Sequence, residues 1–143
     1  MAGMGRVLLA VGRQHPDGSL VDLAMASADG CLRWLPYLSR VGQCCGLAGI
    51  GEFFCDLIND DERFLLAAES AADQLMMLGA GRPLVVPRRP WEQTNNMSWS
   101  SGSAGVLSFL TRLRDRTRAQ LSSARSSWPK FARPSVARSS SRS

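Results

Sequence analysis

The chain is poor in lysine, in histidine and in long apolar runs. Its 143 residues contain one His and one Lys, Lys130. No apolar run approaches the ~18 residues of a membrane-spanning helix. The apolar patch near Met1 is too short for a signal-peptide core, and no clear cleavage site follows it. We therefore expect a cytoplasmic protein with no membrane partner.

Positive charge is concentrated at the end of the chain. Residues 1–111 carry 8 Arg against 11 acidic residues, whereas residues 112–143 carry 8 Arg and Lys130 against one acid, Asp115. The end is rich in Ser, Arg and Pro, and it cannot bury enough apolar surface to offset its ordering entropy. We predict a disordered basic tail over 116–143. A nucleic-acid-binding arm is the alternative, but no base-reading motif is present and no nucleic-acid partner is expected.

Two of the four cysteines are adjacent. Cys44 and Cys45 lie in VGQCCGLAGIGEFF (41–54), at the mouth of a predicted helix whose N-terminus lowers thiol pKa. Without secretory context the thiols are expected to be reduced. From the residues alone, three roles stay open for the pair: metal ligands, a redox pair, or small and partly buried residues. Cys31 and Cys55 are interpreted as core residues.

A repeat is the most informative internal feature. GLAGIGEFFCDL (46–57) aligns with GSAGVLSFLTRL (102–113) at an offset of 56, with identity at five of twelve positions. In each copy small residues precede apolar residues at helical spacing. Each copy therefore predicts a glycine-rich turn that leads into a buried helix. The structural glycines of the two copies are Gly46, Gly49, Gly102 and Gly105.

Between the copies, NDDERFLLAAESAADQLMMLGAG (59–81) predicts an amphipathic helix. Its acidic start supplies N-caps, Gly79 is a C-cap, and the pair Met76–Met77 is predicted to fill the core. The connector that follows is bounded by prolines and is predicted to hold a short strand at Leu84–Val86. Residues 1–40 are poorly defined, with a short helix predicted near Met4–Val11 and a chain break at Pro36.

A family resemblance rests on these segments. GQCCGLAGIGEFFCDLINDDERFLLAAESAADQLMML (42–78), followed by SSGSAGVLSFLTRLRD (100–115), resembles the C-terminal end of the lanthionine synthetase C-like cyclases. The chain is most similar to the cyclase domains of multidomain kinase-cyclase lanthipeptide synthetases. The resemblance implies an all-α fold in which residues 41–115 form a fragment, about two helix pairs, of an α/α toroid with glycine-rich turns.

The resemblance also implies a zinc site. In the family a Cys-His-Gly motif supplies two zinc ligands, and a third cysteine comes from one glycine-rich repeat earlier. Cys44 matches the family cysteine, Cys45 takes the place of the histidine, and Gly46 is the glycine; Cys-Cys-Gly occurs as a variant in the family. One Zn²⁺ is therefore expected on Cys44 and Cys45, with a third protein ligand that this chain does not identify.

The implied reaction is ring closure in a precursor peptide that carries a leader. An intact parent enzyme would add a peptide cysteine thiolate to dehydroalanine or dehydrobutyrine with the help of zinc, forming a lanthionine thioether. The family's acid and base come from earlier repeats, and His15 matches neither. We therefore expect the chain to need the remainder of the toroid and to be inactive alone. The alternative is a non-catalytic, degenerate helical-repeat binding module.

Overall fold

The computed structural model describes residues 2–16, 18–79 and 97–127. Within these ranges every regular element is helical, which confirms the predicted all-α class. The strand predicted at Leu84–Val86 lies outside the described residues. The helices are α1 (Ala2–Gly12), α2 (Ser19–Trp34), α3 (Leu47–Leu57), α4 (Arg63–Leu78) and α5 (Ser103–Ser127), with a short 3-10 helix at Leu35–Tyr37. None of the described helices is long and apolar enough to cross a membrane.

The helices pack as pairs in two layers. Helix α1 packs against α2, and α3 packs against α4, while α3 also contacts α5 and α1. One layer therefore consists of α1, α3 and α5, and the other consists of α2 and α4. This arrangement is consistent with a fragment of a larger all-α fold built from successive helix pairs.

Helices α3 and α5 of the first layer are parallel. The turn before α3 is hydrogen-bonded to the turn before α5, from the Cys44 amide to the Ser100 carbonyl. Farther along the same two helices, Arg112 forms an ion pair with Asp56. Because both the starts and the later turns of α3 and α5 are adjacent, the two helices run in the same direction.

Helix α3 is the centre of this packing. Nine of its eleven residues are buried, as expected of a helix that has neighbours on most sides. The rings of Phe53 and Phe54 are fully buried on it, and so are Phe64 of α4 and Phe109 of α5. Phe54 stacks on Phe64 with ring centroids 5.6 Å apart, which joins the two layers.

The structure shows that α1 is a further copy of the repeat. Its first residues, AGMG (2–5), match AGIG (48–51) of α3 at an offset of 46, and both helices have eleven residues. The packing repeats as well, because a Cβ on Gly5 would meet the ring of Phe53 and a Cβ on Gly51 would meet the ring of Phe109. From the sequence alone, residues 1–40 were poorly defined and this copy was not predicted.

The boundaries of α2 and α4 follow from local signals. Gly18 precedes α2 with a φ of 67°, the left-handed conformation that favours glycine. Helix α2 ends at Trp34 and passes into the 3-10 turn that contains Pro36. The Asp61 carboxylate accepts a hydrogen bond from the Arg63 amide at the start of α4, at 3.0 Å. At its end the Gly79 amide donates to the Leu75 carbonyl.

Two predictions along the second half of the chain differ from the structure. The prediction that Met76–Met77 fills the core is wrong, because the two side chains are 62% and 77% exposed. Helix α5 continues to Ser127, beyond the boundary predicted at residue 115 for the start of the disordered tail. The second half of α5 is polar and rich in Arg, as is typical of a solvated helical face. The tail prediction grouped this helical segment with residues 128–143. Residues 128–143 lie outside the described part of the chain.

A charged cluster joins the three helices of the first layer. Glu52 of α3 is buried, and the guanidinium of Arg112 from α5 contacts its carboxylate at 2.5 Å. Arg112 also contacts Asp56 at 2.5 Å, and Arg6 of α1 reaches the other oxygen of Asp56 at 2.7 Å. Burial lowers the pKa of Arg112, but its hydrogen bonds to the two carboxylates outweigh burial and raise that pKa above its ordinary value. The Arg112 guanidinium therefore keeps its positive charge between the two carboxylates.

Candidate metal site

The adjacent cysteines lie in a turn that is fixed at both ends. The Leu47 and Ala48 amides at the start of α3 donate to the carbonyls of Arg40 and Val41, at 2.8 and 3.2 Å. The first amides of the helix are thus satisfied by the chain that leads into the turn. In the middle of the turn, the Cys44 amide donates to Ser100 of the next copy at 2.7 Å. The backbone that carries the thiols is therefore tied to a neighbouring repeat.

The repeat glycines allow the backbone to turn this tightly. A Cβ on Gly49 would overlap the carbonyl oxygen of Gln43, and a Cβ on Gly105 would overlap the carbonyl oxygen of Trp99. Gln43 and Trp99 are equivalent at the offset of 56, so the same close approach recurs in both copies. A Cβ on Gly46 would lie 2.5 Å from the carbonyl oxygen of Arg40. Close backbone approach is the physical reason for glycine at these positions.

Cys44 and Cys45 present their thiols at the surface. Both residues are exposed and unbridged, and their Sγ atoms are 3.4 Å apart and share a hydrogen bond. Two thiolates on one tetrahedral zinc, each ~2.3 Å from the metal, are roughly 3.8 Å apart. A small opening of the pair would therefore fit two corners of a zinc tetrahedron. The donor set also suits zinc, since thiolates are among its preferred ligands.

The pKa of the Cys44 thiol differs from the expectation for a helix start. The hydrogen bond with Cys45, followed by the charge that a Cys45 thiolate places next to it, raises the pKa of the Cys44 thiol. The sequence analysis expected a lowered pKa from the helix N-terminus. Because the neighbouring thiol raises the pKa of Cys44, a metal that binds this pair must displace the thiol proton.

The other two cysteines are buried. Cys55 lies inside α3, and burial raises the pKa of its thiol to about 11. Cys31 lies on α2 and is also buried, as the sequence analysis expected, and burial raises its pKa. Among residues 2–16, 18–79 and 97–127, no group of three or more His, Cys, Asp or Glu side chains is arranged to hold a metal ion. His15 is exposed in the turn after α1.

A cavity of about 290 Å³ opens beside the exposed thiols. The start of α1, the end of α2 and the start of α3 meet around it, so Cys31 reaches the same cavity that Cys44 and Cys45 line. None of the described residues that line it is charged. Its walls are formed by Ala2, Gly30, Cys31, Trp34, Leu38, Cys44, Cys45, Gly46, Gly49 and Ile50.

Sequence reasoning did not find the residues that α1 and α2 bring to this cavity. Sequence reasoning gave Trp34 no role, and Ala2 begins a helix that was not recognised as a repeat. The signal that could have found them is the AGMG match at the start of the chain, because it places α1 beside α3. A comparison with the models of known protein families gives no match, and a comparison with curated proteins gives none either.

Proposed function

We propose that the chain is the C-terminal part of a lanthionine synthetase C-like cyclase and that Cys44 and Cys45 are two of the ligands of its zinc ion. The observation that carries the proposal is the exposed thiol pair, 3.4 Å between sulfurs, on a turn held by the next repeat. The equivalent residues of that next repeat are Ser100 and Ser101. The fold of the repeat therefore does not require thiols at these positions. A chemical role such as metal binding is the remaining explanation for the two cysteines.

The position of α1 is consistent with the proposal. The resemblance places the third zinc cysteine one repeat before the pair. At the offset of 46 between α1 and α3, the position equivalent to Cys44 would be −2, which precedes Met1 and lies outside this sequence. Ala2, at the start of α1, lines the cavity beside Cys44 and Cys45. A ligand that enters from the start of α1 would thus approach the two thiols directly.

The roles of the residues in this reading are limited to binding and positioning. Zinc, when bound, would lower the pKa of a substrate thiol so that a thiolate forms near neutral pH. Cys44 and Cys45 would hold the ion at the surface, where a peptide can reach it. The glycines under the turn and the hydrogen bond to Ser100 would fix the direction of the two sulfurs. The acid and base implied by the resemblance belong to earlier repeats.

Metal binding by the full chain tests the proposal. We expect reduced protein to bind Zn²⁺ and Co²⁺, and the cobalt form to show thiolate-to-metal charge transfer and the absorption of a tetrahedral site. Cys44→Ser and Cys45→Ser should each weaken binding by more than tenfold. Cys55→Ala is the matched control, because it removes a thiol that is buried within α3. Equal metal content in the wild type and in Cys44→Ser/Cys45→Ser would refute the zinc site.

One observation favours a second function, a helical-repeat binding module without catalysis. Val7 is equivalent to Phe53 at the offset of 46, yet Val7 is 59% exposed while Phe53 is fully buried. Met4 and Val11 extend this exposed apolar stripe along α1. In this reading α1 packs against a helix of a partner, and the thiols are dispensable. Binding of a partner that survives Cys44→Ser/Cys45→Ser but is lost in Val7→Glu would favour the module over the cyclase.

A further inference from the structure

The cavity beside the thiol pair has the lining of a side-chain pocket. Trp34, Leu38 and Ile50 supply apolar surface, and the backbone of Gly30 and Gly46 forms part of the wall. The volume of about 290 Å³ lies at the lower end of the range for small-molecule pockets, roughly 300–1,000 Å³. The space is therefore suited to a single apolar group and is too small for a drug-sized ligand.

Residues from the start of α1, the end of α2 and the start of α3 form the walls of the cavity. Trp34 ends α2 at the rim of the cavity, and its ring makes an edge-to-face contact with Tyr37, with ring centroids 6.1 Å apart. Ile50 projects from the first turn of α3 and packs against the buried core. Because these elements are already packed together, the cavity is present before any ligand binds. A pre-formed pocket binds with little cost for ordering its walls.

We propose that this cavity binds the apolar side chain of the residue next to the reactive cysteine of the substrate peptide. The inference rests on the proposed function, since it assigns the substrate sulfur to the metal held by Cys44 and Cys45. A peptide whose sulfur lies at the two thiols has its neighbouring side chain within reach of the cavity they line. The described lining residues are uncharged and mostly apolar, which favours an aromatic or branched aliphatic neighbour over a charged one.

Trivalent arsenicals test the cavity without any metal. Phenylarsine oxide condenses with two thiols: two As–S bonds form, and the arsenic oxygen leaves as water with both thiol protons. On Cys44 and Cys45 its phenyl ring would enter the cavity, whereas methylarsine oxide makes the same two bonds without filling it. The reference is a peptide with the sequence VGQCCGLAGI (41–50), which carries the dithiol but has no cavity.

The preference is the ratio of the affinity for the phenyl arsenical to the affinity for the methyl arsenical. We expect this ratio to be at least about tenfold larger in the protein than in the peptide, which corresponds to about 1.4 kcal/mol. Trp34→Ala and Ile50→Ala should each reduce that preference. Leu66→Ala, an exposed position on α4, is the control and should leave it unchanged. Trp34 is more than half exposed, so Trp34→Ala keeps the test valid if Ile50→Ala fails to fold. Equal preferences in protein and peptide would overturn the inference.

Short peptides then test the substrate preference. In cobalt-loaded protein we expect Gly-Cys-Phe or Phe-Cys-Gly to shift the cobalt spectrum at concentrations at least about tenfold lower than Gly-Cys-Gly does. Equal potency of the three peptides would reject the side-chain pocket while leaving the metal site in place. Failure to load cobalt would reject the proposed function instead, and the arsenical comparison would still decide whether the cavity binds an apolar group.

Discussion

The amide of Cys44 donates a hydrogen bond to the carbonyl oxygen of Ser100 at 2.7 Å. The two residues are equivalent in successive copies of the repeat, at an offset of 56. A Cβ on Gly42 would also lie 2.8 Å from the Cα of Ser101, so the two turns are in direct contact. The turn before α5 thus holds the turn before α3, which carries the two thiols. The equivalent positions in the turn before α5 are serines.

The close contact beneath the thiol turn predicts that Gly49→Ala is strongly destabilising. Its Cβ would overlap the backbone oxygen of Gln43, which cannot move without opening the turn. We expect the free energy of unfolding to fall by at least about 2 kcal/mol, measured by thermal or urea unfolding of the full chain.

Gly3→Ala is the matched control for that substitution. Gly3 is equivalent to Gly49 at the offset of 46, but a Cβ on Gly3 would meet nothing within 4 Å. Because alanine is the better helix former by ~1 kcal/mol, Gly3→Ala should leave stability unchanged or raise it. Similar losses from the two substitutions would contradict the backbone-contact explanation.

The buried charge on α3 predicts a strong dependence on its partner in α5. Arg112→Gln removes the closest cation from Glu52 and leaves it, among the described residues, with the more distant Arg6, whose guanidinium is 3.8 Å from the Glu52 carboxylate. An uncompensated buried carboxylate is costly, and we expect a loss of roughly 3 kcal/mol. The double variant Glu52→Gln/Arg112→Gln should recover part of this loss, as measured by a double-mutant cycle.

An exposed ion pair on the same helix supplies the control for Arg112. Arg114 contacts Asp115 at 2.9 Å, but more than half of each side chain is exposed. Arg114→Gln should therefore change the free energy of unfolding by less than ~0.5 kcal/mol. Equal effects at the two arginines would mean that burial of Glu52 does not set the energy of the cluster.

Thiol accessibility predicts two classes of cysteine. With the full chain folded, iodoacetamide should label Cys44 and Cys45, because both are exposed, while Cys31 and Cys55 should be labelled only after unfolding. Peptide mapping by mass spectrometry identifies the labelled residues. Fast labelling of Cys55 in folded protein would contradict its burial in α3.

The raised pKa of Cys55 predicts a loss of stability at alkaline pH. The thiol ionises near 9.0 in the unfolded chain and near 11 in the folded one, so the folded state holds the proton more tightly across this interval. Its contribution is complete below pH 9 and is lost as the pH rises toward 11. Cys55→Ala should be less stable than the wild type at neutral pH, and the difference should narrow between pH 9 and 11. Parallel stability curves would contradict this assignment.

Much of the second half of the fold could be predicted from the sequence. Helix α4 begins after its acidic caps and ends at Gly79, and α3 and α5 follow the glycine-rich turns, because capping and periodicity are local properties of the chain. Met76 and Met77 show the limit of such reasoning. Apolar residues near the end of a helix continue its pattern, but only the neighbouring elements decide whether they are covered.

The candidate site, too, could be predicted from the sequence only in part. The sequence by itself determined that Cys44 and Cys45 are adjacent, that they precede a helix, and that glycines recur around them while the thiols do not. Only the tertiary structure decided that α1 is a third copy of the repeat and that Trp34 and Cys31 line a cavity beside the pair. The reason is physical: caps and periodicity act over a few residues, whereas the walls of a cavity come from helices far apart in the chain, which meet only when the layers pack.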